Sequence, residues 1–176
     1  MCIRDRLKQG DTVLVEQLDV PREGPQPQAI PLDILFEDEA IAVVNKPAGM
    51  IVHPARGHWD GTLASALAYH FDKLSQTGCP TRPGIVHRLD KDPSGLVLLA
   101  CTPATYENLA KAFAQRDIQK QYLLLVTGQP TPRNGHIDAP VGRDTRKRTR
   151  MAGTQRGRPA ETTYEVLGSR ADASLV

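Results

Sequence analysis

GIVHRLDKDPSGLVLLA, residues 84–100, sets His87, Arg88, Asp90, Lys91, Asp92 and Ser94 between two apolar runs. The second run, GLVLLA at 95–100, is apolar throughout and reads as a buried, central strand. A polar knot at the mouth of such a strand is a usual place for chemistry, because the rigid strand holds the loop. Three generic readings fail. A nucleophile elbow needs glycines two residues either side of the serine, but Ser94 has Asp92 and Leu96 there. The chain has no G-x-x-x-x-G-K-[ST] phosphate loop. His87 and Asp90 lack further groups at ligand spacing, which argues against a metal. Two readings remain level on spacing alone: a turn built by Asp90, Asp92 and Ser94 with Arg88 paired to a carboxylate, or a catalytic carboxylate in a cationic loop.

Downstream, Thr102 reads as the N-cap of a helix with Pro103 at its first position. Tyr106, Leu109, Ala110 and Phe113 then recur at helical spacing and predict one buried face. IQKQYLLLVTG, residues 118–128, predicts a strand closed by Gly128, and Ile137, ETTYEVL and the closing ASLV predict more. Upstream, LDILFED and AIAVVNK are β-rich runs separated by the acidic turn Glu37-Asp38-Glu39. Asn45-Lys46-Pro47-Ala48-Gly49 breaks the pattern. Thr62 can cap a short helix, LASALAYHF, with Leu63, Ala66, Leu67 and Phe71 apolar. The body is therefore α+β, dominated by strands, with two or three helices.

The outer segments read differently. PREGPQPQAIP, residues 21–31, holds Pro21, Pro25, Pro27 and Pro31 and predicts an extended linker. Before it, LKQGDTVLVEQLDV predicts a turn at Gly10-Asp11 and one strand with Val13 and Val15 alternating. The opening MCIRDR resembles translated adapter sequence and is assigned no function. ASLV, residues 173–176, reads as the start of a strand with no partner, turn or polar tail after it, so truncation is expected there.

The 176 residues are 40% hydrophobic and 24% charged, enough for one sizeable core. No apolar run reaches the roughly 20 residues of a spanning helix. Cys2, Cys79 and Cys101 are odd in number and widely spaced, which disfavours a disulfide framework or zinc site and fits a reducing cytosol. The formal charge of +2 is a sum of unlike parts. VGRDTRKRTRMAGTQRGR, residues 141–158, holds Arg143, Arg146, Lys147, Arg148, Arg150, Arg156 and Arg158 against Asp144 alone. A segment of +6 in a remainder of −4 can be a solvated loop or the footprint of a phosphate-backbone partner.

HRLDKDPSGLVLLA closely resembles the signature of the RluA/RluD-type RNA pseudouridine synthases, H-R-L-D-x-x-T/S-S-G-L. ILFEDEAIAVVNKPAGMIVHP (34–54), the Lys-x-Tyr-Leu strand around Tyr122, GRDTRKRTRM and GRPAETTYEVL resemble that family in the same order. The KPAG…VHP and KRTRMA wording is similar to the RluD-like, large-subunit ribosomal RNA branch. LKQGDTV resembles the last strand of the S4 RNA-binding domain that precedes many members. The resemblance implies a remnant of an S4-like domain at 1–20, the linker at 21–31 and a truncated catalytic domain at 32–176. Its fold would be α+β, a mixed, mainly antiparallel sheet with a few flanking helices, incomplete at the C-terminus.

The resemblance implies that Asp90 is the catalytic nucleophile, ionised and partly desolvated, and that no cofactor or metal is needed. The target uridine would leave its stack to reach it. Arg88 matches the residue beside the displaced nucleotide, and Tyr122 the tyrosine stacked on the uracil. Without the family match Tyr122 reads as a core strand residue. His87 would orient the loop beside the substrate. Arg143, Arg146, Lys147, Arg148 and Arg150 would meet the RNA backbone. Two departures stand out: Pro93 replaces the family's Thr or Ser, and the motif with the nucleophile's basic partner would lie beyond Val176. The chain alone is therefore expected to be poorly active. The expected partner is large-subunit ribosomal RNA, acted on by a cytoplasmic monomer. The rival readings are a synthase of transfer RNA, a non-catalytic RNA binder, and a weakly supported hydrolase using His87 and Asp90. The HRLD carboxylate argues against a pure binder.

Overall fold

In the computed structural model, which describes residues 9–12, 24–54, 58–79, 81–145 and 150–176, Asp38 makes the turn between the first two strands. Its Oδ1 accepts from the N–H groups of Ala40 and Ile41, both at 2.7 Å. These bonds fold β1 (Asp33–Glu37) antiparallel onto β2 (Ile41–Lys46). The register slips between Ile34 and Phe36, so Leu35 forms a bulge in an exposed edge strand. β2 pairs on its other side with β3 (Gly95–Ala100), again antiparallel. The central strand is thus β2, where the sequence predicted GLVLLA. The apolar run of β3 instead reflects burial against its flanking segments, including a bridge from Ile85 to Leu99.

Thr62 caps α1 (Leu63–His70), its side chain accepting from Ser65 N–H. α1 packs Leu63, Ala64 and Leu67 into a core with Ala42, Val44, Val52, Phe71, Leu74, Ile85, Leu89, Val97 and Leu99. Each of the larger aliphatics contributes about 1.5–3 kcal/mol by leaving water. Thr102 caps α2 (Pro103–Gln115) in the same way through Thr105 N–H. The predicted stripe of Tyr106, Leu109, Ala110 and Phe113 is present but only half-buried, because α2 lies at the margin of this core. Residues 24–31 carry no helix or strand but are fastened to the body. Gln28 N–H donates to Ser65 O at 3.0 Å, Gly61 N–H to Gln28 Oε1 at 2.7 Å, and His70 Nε2 to Ile30 O at 2.7 Å.

The chain divides into two compact units, Met1–Ile118 and Gln119–Val176. The second is built from short antiparallel pairs. β4 (Leu125–Thr127), β10 (Ala173–Leu175) and β9 (Gly168–Arg170) form one sheet in that order. β5 (Asn134–Asp138) pairs with β8 (Glu161–Glu165), and β6 (Val141–Arg143) with β7 (Met151–Gly153). One expectation is corrected here. The strand predicted over 118–128 shrinks to β4, because its partner β10 and Val176 reach only Leu124 to Thr127. The closing ASLV run is paired on both sides, as the middle strand of its sheet. Most of the predicted N-terminal strand lies outside the described residues, as do Arg146, Lys147 and Arg148. Among the described residues no helix is long and apolar enough to cross a membrane.

Candidate active site

The signature loop begins where the chain hooks onto the end of β3. Gly84 N–H donates to Ser75 O at 2.7 Å, and Ala100 N–H to Gly84 O at 2.9 Å. Glycine is required at this point: φ is +69°, and a Cβ would sit 2.6 Å from Ala100 O. Ile85 then enters the core. His87 lies half-buried between two elements. Its Nε2 accepts from Leu98 N–H at 2.9 Å, and its ring stacks on Phe113 with centroids 4.5 Å apart. A nitrogen that accepts carries no proton, so the ring is fixed as the Nδ1–H tautomer. These contacts clasp the loop to β3 and α2.

Leu89 is buried, while Arg88 and Asp90 on either side of it are exposed. The core thus anchors the loop at Leu89 and presents a cation and a carboxylate outward. Asp90 is exposed, and residues 90–94 all stand clear of the core. The Arg88 Nη1 lies 3.2 Å from His53 Nε2, in hydrogen-bond contact.

Beneath the loop lies Lys46. Ala42, Val44 and Lys46 occupy the inward positions of β2, and all three are fully buried. The Lys46 Nζ donates to Pro47 O at 2.8 Å, Met50 O at 3.0 Å and Lys91 O at 3.1 Å. One ammonium therefore fastens the KPAG turn to the backbone of the signature loop. Burial pulls its pKa below the ordinary lysine range, and the Asp92 carboxylate opposes that. The strict inward alternation of β2 was the signal that could have found it. His53 was also missed. Its pKa lies below the ordinary histidine value, first through burial and then through the cations Arg88 and Arg82.

The other candidate residues belong to the second unit. Tyr122 is 57% exposed, in the segment leading to β4. Exposure does not match the core tyrosine that its sequence context alone suggested. Arg143 ends β6 and Arg150 precedes β7, and Asp144 N–H donates to Arg150 O at 3.0 Å to close the hairpin. Val141 and Arg158 exchange two backbone bonds of 2.9 Å on the other edge of β6. The exposed Arg143, Arg150, Arg156 and Arg158 thus belong to one small β structure. Among the described residues, no three His, Cys, Asp or Glu side chains gather to hold a metal ion.

Residues 40–176 match the model of the RNA pseudouridylate synthase family, and the chain belongs to that family. It is 47% identical over 165 residues to the ribosomal large subunit pseudouridine synthase D of Zymomonas mobilis, covering 90% of this chain and 52% of that protein. It is 49% identical over 145 residues to the ribosomal large subunit pseudouridine synthase D of Nitrosomonas europaea, covering 82% of this chain and 41% of that one. Among solved structures, Human RNA Pseudouridylate Synthase Domain Containing 1 shares the fold with a TM-score of 0.64 at 23% identity, over 82% of this chain and 57% of that one. The chain spans about half the length of the curated relatives it matches.

Proposed function

We propose that the protein isomerises uridine to pseudouridine in large-subunit ribosomal RNA, with Asp90 as nucleophile. The observation that carries this reading is the position of Asp90. It is exposed beside a buried leucine, on a loop whose backbone is fixed from below by Lys46 and His87. A carboxylate so held can meet a flipped base without reorganising its own support. In the reaction the bond from ribose C1′ to uracil N1 breaks, the base rotates and C1′ bonds to C5. The C5 proton is lost and N1 gains one, so no co-reactant is consumed. Asp90 supplies the transient covalent bond and is released unchanged.

Arg88 meets the displaced nucleotide or its phosphate, and Tyr122 stacks on the uracil. His87 serves as the clasp of the loop, since its Nε2 is already engaged by Leu98. The basic hairpin, with Arg143, Arg150 and the intervening Arg146, Lys147 and Arg148, meets the RNA backbone. The ribosomal substrate is supported by the relatives named for large-subunit pseudouridine synthesis. The sparse cysteines support a reducing, cytoplasmic setting, and a monomer is the simplest state.

The test is Asp90→Asn in the full gene product, scored by pseudouridine mapping of ribosomal and transfer RNA. Loss of ribosomal pseudouridine with RNA binding retained is expected. Unchanged modification would remove Asp90 from the mechanism, and loss confined to transfer RNA would replace the substrate.

A further inference from the structure

Arg88 is exposed, and a free arginine side chain samples many rotamers. Among the described residues its hydrogen-bonded side-chain neighbour is His53, with Nη1 and Nε2 3.2 Å apart. A guanidinium has only donors, so this contact is a bond only if Nε2 offers its lone pair. The imidazole must then be neutral, with its proton on Nδ1. Nδ1 is buried and lacks a hydrogen-bond partner among the described residues. A buried N–H without an acceptor is costly, and its presence calls for a reason. Holding the lone pair toward Arg88 supplies one.

We propose that His53 is the positioning residue for Arg88, aiming its guanidinium through a neutral acceptor. This rests on the reading that Arg88 contacts RNA. A carboxylate would orient the arginine more firmly but would also neutralise it. A neutral imidazole fixes the direction and leaves the full charge, and the remaining N–H donors, for a phosphate or base. The placement of His53 is itself rigid. Val52 before it is buried, and its carbonyl accepts from Ala64 N–H at 2.9 Å. Pro54 after it restricts the backbone. Among the described residues the charged groups acting on His53 are Arg88 and Arg82, both cations, and burial acts in the same direction. Each of these keeps the ring neutral.

The test uses the full gene product, a fluorescein-labelled uridine-containing stem-loop of large-subunit ribosomal RNA, and four variants: His53→Leu, His53→Gln, Arg88→Ala and the double His53→Leu/Arg88→Ala. His53→Leu should lower kcat/KM by about tenfold, the worth of one hydrogen bond to a charged group. His53→Gln, whose Oε1 reaches close to the Nε2 position, should recover most of that loss. In the Arg88→Ala background, His53→Leu should cost nothing further. Nitrogen-15 spectra of the RNA-free protein should show His53 as the Nδ1–H tautomer. A wild-type rate in His53→Leu, a loss that persists without Arg88, or an Nε2–H tautomer each overturns the proposal. If Arg88→Ala alone behaves as wild type, the reading of Arg88 fails instead. The tautomer then still decides whether His53 holds the guanidinium.

Discussion

Replacing Lys46 with methionine keeps the length and apolar stem of the side chain and removes its ammonium. Three bonds of 2.8, 3.0 and 3.1 Å vanish together. Hydrogen bonds from a charged donor contribute about 1.5–3 kcal/mol each, which puts the gross loss at roughly 5–9 kcal/mol. Against this, the variant no longer buries a charge, a relief of several kcal/mol. The difference is a net destabilisation of about 2–4 kcal/mol. For a unit of this size that lowers Tm by roughly 10–20 °C. Calorimetry reads the midpoint, and hydrogen exchange should show faster opening at residues 47–50 and 91–94. A second signature comes from pH. Lys46 in the folded chain gives up its proton below the ordinary 10.5, so the unfolded chain binds more protons between the two values. Stability should therefore rise as pH climbs through that window in the wild type, and rise less in Lys46→Met. A midpoint within about 2 °C of wild type, with the same pH slope, would refute the claim that the ammonium holds the loop.

Further outcomes follow from other positions. Gly84→Ala meets a positive φ and the Ala100 carbonyl at once, and should cost about 1–3 kcal/mol by urea titration; a neutral effect would show that the hook onto β3 relaxes freely. Arg143→Ala with Arg150→Ala should reduce the slope of log affinity against log salt by about 1–2, and an unchanged slope would take the hairpin off the RNA. His53 has a folded pKa below 6.5, so below that pH the unfolded chain binds more protons and the wild type should lose stability as pH falls. Urea titrations at successive pH values should show this loss reduced in His53→Gln, and equal pH dependence would contradict it.

The parts of the fold that were legible in the sequence carry their cause within a few residues. The Asp38 turn, the caps at Thr62 and Thr102, and the proline opening α2 each act on their own neighbours. The pairing of ASLV with Leu125–Thr127 was illegible because nothing local specifies a partner so far back in the chain, whereas Gly168–Arg170 reaches it directly through the turn at Ala171-Asp172. The placing of β2 rather than β3 at the sheet centre escaped for the same reason. At the candidate site, the wording around Asp90 was readable from the resemblance. Its exposure was not, because that depends on Leu89 entering the core. Lys46 and His53 lie within a block that resembles the family, but the sequence assigns neither a role. Their significance lies in contacts 45 and 35 residues away, with Lys91 and Arg88.

The signature loop is fastened through main-chain atoms at its far end: Lys46 grips the carbonyl of Lys91, and His87 receives the N–H of Leu98. Neither grip is a bond to a side chain of residues 91–94, which are all exposed, although the Asp92 carboxylate acts electrostatically on the Lys46 ammonium. Substitution at 91, 93 or 94 therefore leaves the bonds that anchor the loop untouched. Pro93, standing where the family usually has Thr or Ser, is such a substitution. It removes an N–H and a hydroxyl without touching either grip, so the scaffold stays open to substitution within a few residues of Asp90.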